Sequence, residues 1–384
     1  MVMKIVFVLN YLSHYQASLS DELFSIYGED YCFIETTPIP EDRLKGGFFV
    51  TERSYLLRAW ESASKFNVAL KKCLEADVAV ISTDLSTLPF KKKRLEKNNI
   101  TFEYSERPLK RGILNVFSKT NLINQWYYHT SFYKKLIYKL CAGAYVANDQ
   151  YSMHSFKGRC FKFGYFPKIE SPDIKKSIRK TAPPKKQILW CARFLKWKHP
   201  EMMIDLAKRL KQNGIDAEIN MIGNGELYEK IQEQILNNHL SDLVHLSGSV
   251  SNDELLDRMK QSDIFVLTSD KQEGWGVVVN EAMGNGCCVV CSDAVGCAPF
   301  LINDGQNGLL FKSQDAESLY EKVMYLILHQ EERIRLSRNA YSTISEEWSP
   351  KCAAKSLVRL AHDLIEGRDT SIGKGPCSKA YPIY

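Results

Sequence analysis

The chain has 384 residues, of which 45% are hydrophobic and 25% are charged, and its net charge is +6. At ~150 residues per domain, this length predicts about two domains, and the hydrophobic content is ordinary for a globular protein with a real core. No apolar run reaches the ~18 residues of a membrane-spanning helix. The eleven cysteines are irregularly spaced, which excludes a disulfide framework and favours a reducing compartment.

The positive charge is concentrated in one part of the sequence. Residues 91–186 contain 22 Lys and Arg against 6 Asp and Glu, whereas the rest of the chain is acidic. Such asymmetry indicates an anionic partner for this part of the chain. The first ten residues, MVMKIVFVLN, are too short for a signal peptide and lack a small-residue cleavage site. We therefore expect them to contain the first strand of a sheet.

The first half of the chain predicts alternating strands and helices. Strands are predicted at 4–9, 31–36, 76–82, 100–112, 144–149 and 161–167, and helices at 19–26, 55–74 and 124–141. Residues 168–186, rich in Lys, Pro and Ser, are typical of a linker.

The second half continues the same alternation. Strands are predicted at 187–193, 217–223, 244–248, 264–267 and 287–291. One helix is predicted to begin near Pro200 and another to end at Lys260, and further helices are predicted at 226–237, 277–283, 315–329, 331–344 and 351–366. The tail 367–384 has little periodicity, so we expect it to be loose. The alternation predicts an α/β protein with two doubly wound parallel sheets facing each other across a cleft.

Residues 262–293 form the unit around which the second half is organised. The order is strand, glycine-punctuated loop, helix and strand, which places the loop at the carboxyl end of a strand, where open α/β sheets bind ligands. Glu273 and Glu281, eight residues apart, bracket the loop and the helix. Gly274 and Gly276 allow close approach of the backbone to a ligand, and the N–H groups of the new helix favour an anion. The nearby Cys287, Cys288 and Cys291 are expected to pack in the core and not to bind metal.

Two basic residues offer a second part of an anion site. Arg193 and Lys198 lie in one loop after a predicted strand. A guanidinium matches phosphate oxygens in pairs, and an ammonium supplies a point charge. The sequence contains no Asp-x-Asp pair of the kind that holds a catalytic cation. We therefore expect no metal and no cofactor.

The motifs together resemble a known family. EGWGVVVNEAM (273–283) resembles the EX7E motif, in the form EGxGxxxxEAM, of family 4 retaining glycosyltransferases with the GT-B fold. CARFLKWKHP (191–200) resembles the GRxxxxKG segment of that family, and MIGNGEL (221–227) resembles its GxGxL loop, with Gly223 and Gly225. DGQNGLLF (304–311) resembles its DGxNGxL turn. These matches cover about residues 187–345 in the family's order.

The resemblance implies two Rossmann-like domains with different roles. Residues 1–168, completed by helix 351–366, would bind the acceptor, and residues 187–348 would bind a UDP- or GDP-linked sugar. Arg193 and Lys198 would hold the diphosphate. Glu273 would contact the donor sugar and Glu281 the ribose hydroxyls, while the backbone of Gly274, Trp275 and Gly276 would cradle sugar and phosphate. The anomeric configuration would be retained.

Several positions depart from the family pattern. The first loop carries Asn10, Ser13 and His14 where relatives usually have glycines, and His199 replaces a common glycine. His14 is a candidate for acceptor contact or for a local hydrogen bond. Glu106 and Arg107 are candidates for binding acceptor hydroxyls or for a surface ion pair.

We expect a cytoplasmic glycosyltransferase, peripheral on the inner face of the membrane, that extends a glycan or lipid-linked glycan. The aromatic and basic segment 124–141 fits either a membrane-surface patch or a core helix with a solvated Lys face. The alternative function is a non-catalytic GT-B partner subunit, although the chain keeps both glutamates and both basic residues. A sugar-nucleotide epimerase is a further alternative. No nucleic-acid motif is recognisable, so no nucleic-acid partner is expected.

Overall fold

The computed structural model describes residues 3–41, 52–169 and 185–383. The chain forms two compact units, one from residues up to Lys168 together with Trp348 onwards, and the other from Ile169 to Glu347. Most of the predicted linker 168–186 lies outside the described residues. No helix among the described residues is both long enough and apolar enough to cross a bilayer.

In the described residues, the first unit contains a sheet of seven parallel strands in the order β3-β2-β1-β4-β5-β6-β7. The strands are β1 (Ile5–Leu9), β2 (Tyr31–Glu35), β3 (Leu56–Arg58), β4 (Val78–Ser82), β5 (Thr101–Ser105), β6 (Ile137–Ala142) and β7 (Cys160–Phe163). Every residue of β1, β2 and β4 is buried, as expected for a parallel sheet that is covered on both faces.

Helices connect these strands, and one returns from the end of the chain. The connecting helices are α1 (His14–Tyr27), α2 (Ala63–Glu75), α3 (Leu88–Glu96), α4 (Lys119–His129) and α5 (Val146–Ser152). The returning helix is the last one of the chain, α13 (Pro350–Ile365). Helix α13 begins at a proline after the N-cap Ser349, whose side chain accepts from the Cys352 N–H at 3.2 Å. It packs against α1 and so completes the first unit.

The second unit contains, in its described part, a sheet of six parallel strands in the order β10-β9-β8-β11-β12-β13. The strands are β8 (Lys186–Cys191), β9 (Ala217–Ile222), β10 (Val244–Leu246), β11 (Ile264–Leu267), β12 (Cys288–Ser292) and β13 (Leu309–Phe311). The helices are α6 (Glu201–Gln212), α7 (Tyr228–Asn237), α8 (Asn252–Gln261), α9 (Val277–Gly284), α10 (Ala298–Leu301), α11 (Ala316–Leu328) and α12 (Gln330–Ser342). The α/β class and the doubly wound sheets are confirmed.

The cysteines behave as core residues. Cys287, Cys288 and Cys291 are fully buried, and all eleven cysteines of the chain are free thiols. Burial raises the pKa of the Cys288 thiol to about 12, which keeps it protonated. The prediction of core packing for these three residues is confirmed.

Three predicted elements of the first unit are wrong. The predicted helix 55–74 begins instead as β3, because Leu57 pairs with Ile34 at the sheet edge, and α2 follows only after the cap residue Ser62. The predicted strand 144–149 is largely α5. The predicted helix 124–141 ends at His129, and its last residues form β6.

The error at 124–141 arises from the central position of β6 in the sheet and from the backbone turn before it. Strand β6 lies between β5 and β7, so its apolar residues lack the alternation that marks a half-exposed strand. Lys134, between α4 and β6, has a φ of +64°, which a helix does not allow.

The prediction of a loose tail is also wrong for the residues nearest β7. The N–H of Lys162 donates to the carbonyl of Ser378 at 2.8 Å, and the N–H of Ala380 donates to the carbonyl of Cys160 at 3.0 Å. Cys377 and Ser378 are buried. The tail therefore covers the outer edge of the sheet, where unpaired backbone groups would otherwise be exposed.

Candidate functional site

The candidate site lies where the chain reverses direction across the second sheet. From β8 the chain runs outward through β9 and β10, then returns to β11 on the other side of β8. The carboxyl ends of neighbouring strands beside such a reversal form the usual ligand crevice of open α/β sheets. Arg193 follows β8, Gly223 follows β9 and Thr268 follows β11. The fold thus brings the predicted residues of three separate segments to one edge.

The two glycines after β9 allow its loop to contact the loop after β8. A Cβ on Gly223 would lie 2.0 Å from the Ala192 carbonyl oxygen, and one on Gly225 would lie 2.7 Å from that of Phe194. The Phe194 N–H donates to the Asn224 carbonyl at 2.9 Å. The glycines therefore allow the two loops to pack at backbone distance.

Lys198 and Glu273 are brought together as an ion pair. The Lys198 ammonium donates to Glu273 Oε2, and the Ser269 hydroxyl donates to the same oxygen at 3.2 Å. Only 10% of the Lys198 side chain and 13% of the Glu273 side chain are exposed. Each charge is thus held at a partly buried position by the other.

Hydrogen bonds from residues that sequence reasoning missed hold the loop that carries Lys198 against the sheet. The buried Trp190 indole donates to the Thr268 hydroxyl at 2.8 Å, and this hydroxyl donates to the Lys198 carbonyl at 2.6 Å. Because the contact spans seventy positions, only the pairing of β8 with β11 reveals it.

His199 occupies the family's glycine position with a glycine-like backbone. Its φ is +50°, in the left-handed region. Its ring nitrogens lie 2.8 Å from Glu201 Oε1 and 3.3 Å from Asp270 Oδ2. Hydrogen bonding to Glu201, and then to Asp270, raises the pKa of His199. The side chain therefore stabilises the turn that a glycine would otherwise permit.

The loop before α9 is rigid and closely packed. Gly276, the N-cap of α9, has a φ of +92°. A Cβ on Gly296 would lie 1.8 Å from the Gly274 carbonyl oxygen, so two loops meet here at backbone distance. Trp275 is 1% exposed, and its indole donates to Asn280 at 2.9 Å. Within the tripeptide Gly274–Gly276, the backbone and not the Trp275 side chain is therefore placed to contact a ligand.

Glu281 is a buried carboxylate with an unsatisfied oxygen. It lies on α9, is 6% exposed, and its Oε2 has no hydrogen-bond partner among the described residues. Burial raises the pKa of Glu281 to about 8. Buried polar atoms are nearly always paired, so an unpaired one marks a place where a ligand donor fits.

This raised pKa predicts a pH effect on stability. The folded form holds the Glu281 proton up to about pH 8, whereas the unfolded chain releases it near pH 4.5. The contribution of Glu281 to the free energy of unfolding is fully present below about pH 4.5 and is lost as the pH rises towards 8. Between these pH values, the free energy of unfolding of the wild type should fall by about 1 kcal/mol per pH unit because of Glu281. We expect this decrease to be absent in Glu281→Gln.

Urea unfolding of both proteins at pH 5, 6, 7 and 8 measures this difference. The Gln variant should gain on the wild type as the pH rises, while Glu226→Gln, a change at an exposed glutamate of the same unit, should not. Parallel pH profiles of wild type and Glu281→Gln would show that the buried carboxylate does not hold its proton.

Arg193 is placed differently from Lys198. Its side chain is exposed and has no ion-pair or hydrogen-bond partner among the described residues. A guanidinium in this state is available to an incoming anion without breaking an existing contact. Within the described ranges, no cluster of three or more His, Cys, Asp or Glu side chains is arranged to hold a metal ion.

The first unit contains a separate polar cavity of about 440 Å³. Glu106 and Arg107 line it, whereas His14 is not among its lining residues. The Arg107 guanidinium is held by Asp149 at 2.9 Å, and Glu106 accepts from Lys110 at 2.9 Å. Both residues thus form ion pairs and also border a cavity, and their contact with acceptor hydroxyls stays a prediction.

The base of this polar cavity contains a charge cluster that the sequence did not predict. Glu103, on β5, is fully buried between the ammonium groups of Lys91 at 2.5 Å and Lys139 at 2.8 Å, and the Tyr128 hydroxyl donates to it. Burial would raise the pKa of Glu103, but the two ammonium groups outweigh it and lower the value to about 2. Gln150, which also lines the cavity, has a buried Oε1 that finds no hydrogen-bond partner within the described part of the chain.

The second unit matches a known family. Residues 173–343 match the family model described as glycosyl transferases group 1. An uncharacterized glycosyltransferase of Methanocaldococcus jannaschii is 33% identical over 178 residues, which are 46% of this chain and 47% of that protein. The poly(glycerol-phosphate) alpha-glucosyltransferase of Bacillus subtilis is 29% identical over 153 residues, or 40% of this chain and 22% of that protein. These matches span about half or less of the relatives' length.

Solved structures resemble the whole chain. HepE of Anabaena, in complex with UDP, has a TM-score of 0.70 and 16% identity, covering 95% of this chain and 100% of that one. A glycosyltransferase from Rickettsia africae has a TM-score of 0.67 and 13% identity, covering 95% and 100%. The likeness extends across both units, although identity this low speaks only for the fold.

The architecture is therefore GT-B, and residues 173–343 match the model of the glycosyl transferases group 1 family.

Proposed function

We propose that the protein is a retaining glycosyltransferase of the hexosyltransferase type. It moves a sugar from a nucleoside-diphosphate sugar to a hydroxyl of a glycan or lipid-linked glycan, without a metal ion. One observation supports this proposal most strongly. The Lys198–Glu273 ion pair lies at the carboxyl edge of the second sheet, where helix α9 begins. The same helix carries the buried Glu281, whose Oε2 has no hydrogen-bond partner among the described residues.

Each feature of this edge suits one part of the donor. The exposed Arg193 and the ammonium of Lys198 would bind the diphosphate, helped by the N-terminal N–H groups of α9. The unpaired oxygen of Glu281 would accept from a ribose hydroxyl. Glu273, once Lys198 turns to phosphate, would accept from hydroxyls of the donor sugar. HepE, a structural neighbour in complex with UDP, supports a uridine nucleotide as the first candidate.

The reaction would run without a covalent enzyme intermediate. The bond between the anomeric carbon and the diphosphate oxygen breaks while the acceptor oxygen bonds on the same face. The acceptor's proton passes to the departing phosphate oxygen. Arg193 and Lys198 stabilise the negative charge that grows on the leaving group, and they do so more in the transition state than in the ground state.

We place the acceptor in the polar cavity of the first unit. Its lining includes the carboxamides of Asn121, Asn124 and Gln125, which both donate and accept hydrogen bonds, as sugar hydroxyls require. The unpaired Oε1 of Gln150 provides one further acceptor. The enzyme would act in the cytoplasm, peripheral to the inner face of the membrane.

A panel of UDP, GDP, ADP and CMP in a thermal-shift assay tests the donor site. A nucleotide at about 100 times its dissociation constant stabilises the folded protein by about 2.7 kcal/mol. We expect one diphosphate to raise the melting temperature of the wild type and of Lys196→Ala, an exposed neighbour in the same loop. Arg193→Ala should lose the shift.

Two outcomes would contradict this assignment. No shift with any nucleotide would favour the non-catalytic partner subunit. A shift that survives in Arg193→Ala would remove the diphosphate from the loop after β8.

A further inference from the structure

The first unit exposes an unusual concentration of large apolar side chains. Of seventeen exposed large hydrophobic residues in the described part of the chain, six lie within a span of twenty-one positions. We call these six the apolar surface: Ile113, Leu114, Phe117, Leu122, Trp126 and Tyr133. Their exposed fractions run from 49% for Leu122 to 75% for Leu114. Single exposed apolar residues are ordinary, but a contiguous group marks an interaction site.

Four of these residues lie on two elements that pack against each other. Residues 113–117 form a short 3₁₀-helix that packs against α4. The Asn121 side chain donates to the Asn115 carbonyl at 2.8 Å and ties the two elements together. Leu114 and Phe117 are three apart on the 3₁₀-helix, and Leu122 and Trp126 are four apart on α4, so each pair shares a face.

The exposed charge among the residues of the apolar surface is positive. Residues 107–148 contain seven Lys and Arg but no Asp or Glu, although Arg107, Lys110 and Lys139 are paired with acidic residues outside this range. Arg111, Lys119 and Lys134 are exposed among or beside the apolar residues. Beside Tyr133, a shallow cavity of about 370 Å³ is also lined by basic groups, namely Lys134, Lys157 and Arg159.

This combination fits an anionic membrane surface better than another protein. Leu and Ile insert among acyl chains, while Trp and Tyr favour the boundary with the headgroups. Clustered Lys and Arg are attracted to anionic lipid, and together with an apolar face they form a peripheral membrane anchor. A protein interface of such one-sided charge would need an equally acidic partner.

We propose that the apolar surface and its basic flank dock the protein on an anionic lipid bilayer. Helix α4 then has two roles, since its residues Asn121, Asn124 and Gln125 line the polar cavity while Leu122 and Trp126 face the bilayer. An acceptor whose lipid stays in the membrane would thus find the cavity beside the docking surface. The docking is independent of the transferase activity, whereas the delivery of a lipid-linked acceptor rests on the proposed function.

Vesicle flotation of the full chain tests the docking. We expect binding to vesicles of phosphatidylglycerol and phosphatidylcholine, weak binding to phosphatidylcholine alone, and a loss with rising salt. The double variant Leu114→Ser, Phe117→Ser should lower the partition coefficient by roughly tenfold or more. The control Leu236→Ser, at an exposed leucine of the second unit, should bind as the wild type does.

Three outcomes would overturn the proposal. The first two are equal binding to both kinds of vesicle and unchanged binding of the double variant. The third is a dimer of the wild type, detected by light scattering, that is absent in the double variant, since a second copy would then cover the apolar surface. A wild-type circular dichroism spectrum and melting temperature show that the double variant is folded, and the nucleotide thermal shift is measured separately as the readout of the donor site. Loss of docking with that shift intact would leave the proposed donor site standing.

Discussion

Lys198→Met should lower kcat/KM for sugar transfer by about 10²–10³-fold, the range seen when one preorganised donor to a developing negative charge is removed. Methionine keeps the apolar stem of the side chain and removes only the ammonium. The loss should be larger in kcat than in KM for the donor, because the charge on the leaving group grows towards the transition state. Steady-state kinetics with the nucleotide sugar identified by the thermal-shift panel measures both.

The ion pair with Glu273 complicates this variant, and a second change separates the two roles. Lys198→Met alone leaves the Glu273 carboxylate, 13% exposed, without its ammonium partner, so the melting temperature should also fall. Adding Glu273→Gln removes the unpaired charge and should restore the melting temperature. Because Glu273 is itself proposed to contact the donor sugar, Glu273→Gln alone is the reference, and the double variant should be less active than this reference. Equal activity of the two would show that Lys198 acts only by supporting the fold. Lys196→Met, in the same loop, is the control and should change neither.

Glu103→Leu should cost the first unit about 3–5 kcal/mol of unfolding free energy, which is the usual cost of leaving buried charges unpaired. The carboxylate is fully buried, and so are the ammonium groups of Lys91 and Lys139 that it neutralises. Urea unfolding, followed by a signal from the first unit, measures this loss. Lys93→Met, at an exposed position of the same helix as Lys91, should stay within about 0.5 kcal/mol of the wild type.

A triple variant, Lys91→Met, Glu103→Leu, Lys139→Met, tests why the cluster is kept. Replacing a whole buried ion cluster by apolar residues is often neutral or stabilising. Stability should therefore return, whereas acceptor use should not, because Lys139 and Glu103 line the polar cavity. Full activity in the triple variant would remove this cavity from the acceptor site, and a loss below 1 kcal/mol in Glu103→Leu would contradict the burial argument.

The second unit could largely be predicted from the sequence because its signals are local. Strands such as Ile264–Leu267 are short apolar runs bounded by polar turns, and the glycines sit where the backbone must turn or touch another loop. The α/β class followed from the alternation, and the motifs named the residues that meet at the carboxyl edge of β8, β9 and β11. Their roles in donor binding stay predictions.

The first unit was less predictable because its pattern depends on neighbours. Strand β6 is buried on both faces, so its apolar run lacks alternation and resembles the end of a helix in sequence. The tail gave no periodic signal, yet it pairs with β7, because an open sheet edge offers hydrogen-bonding groups to any nearby segment.

The fold class, the order of most elements and the candidate donor residues can be predicted from the amino-acid sequence, since these depend on periodicity and short motifs. Which charges pair and which surfaces stay exposed depends on how the folded chain packs. Glu103 meets Lys91 and Lys139 from twelve and thirty-six positions away, and the unpaired oxygen of Glu281 shows only once its surroundings are packed. Burial and pairing are properties of the packed chain, and residues distant in sequence supply the partners.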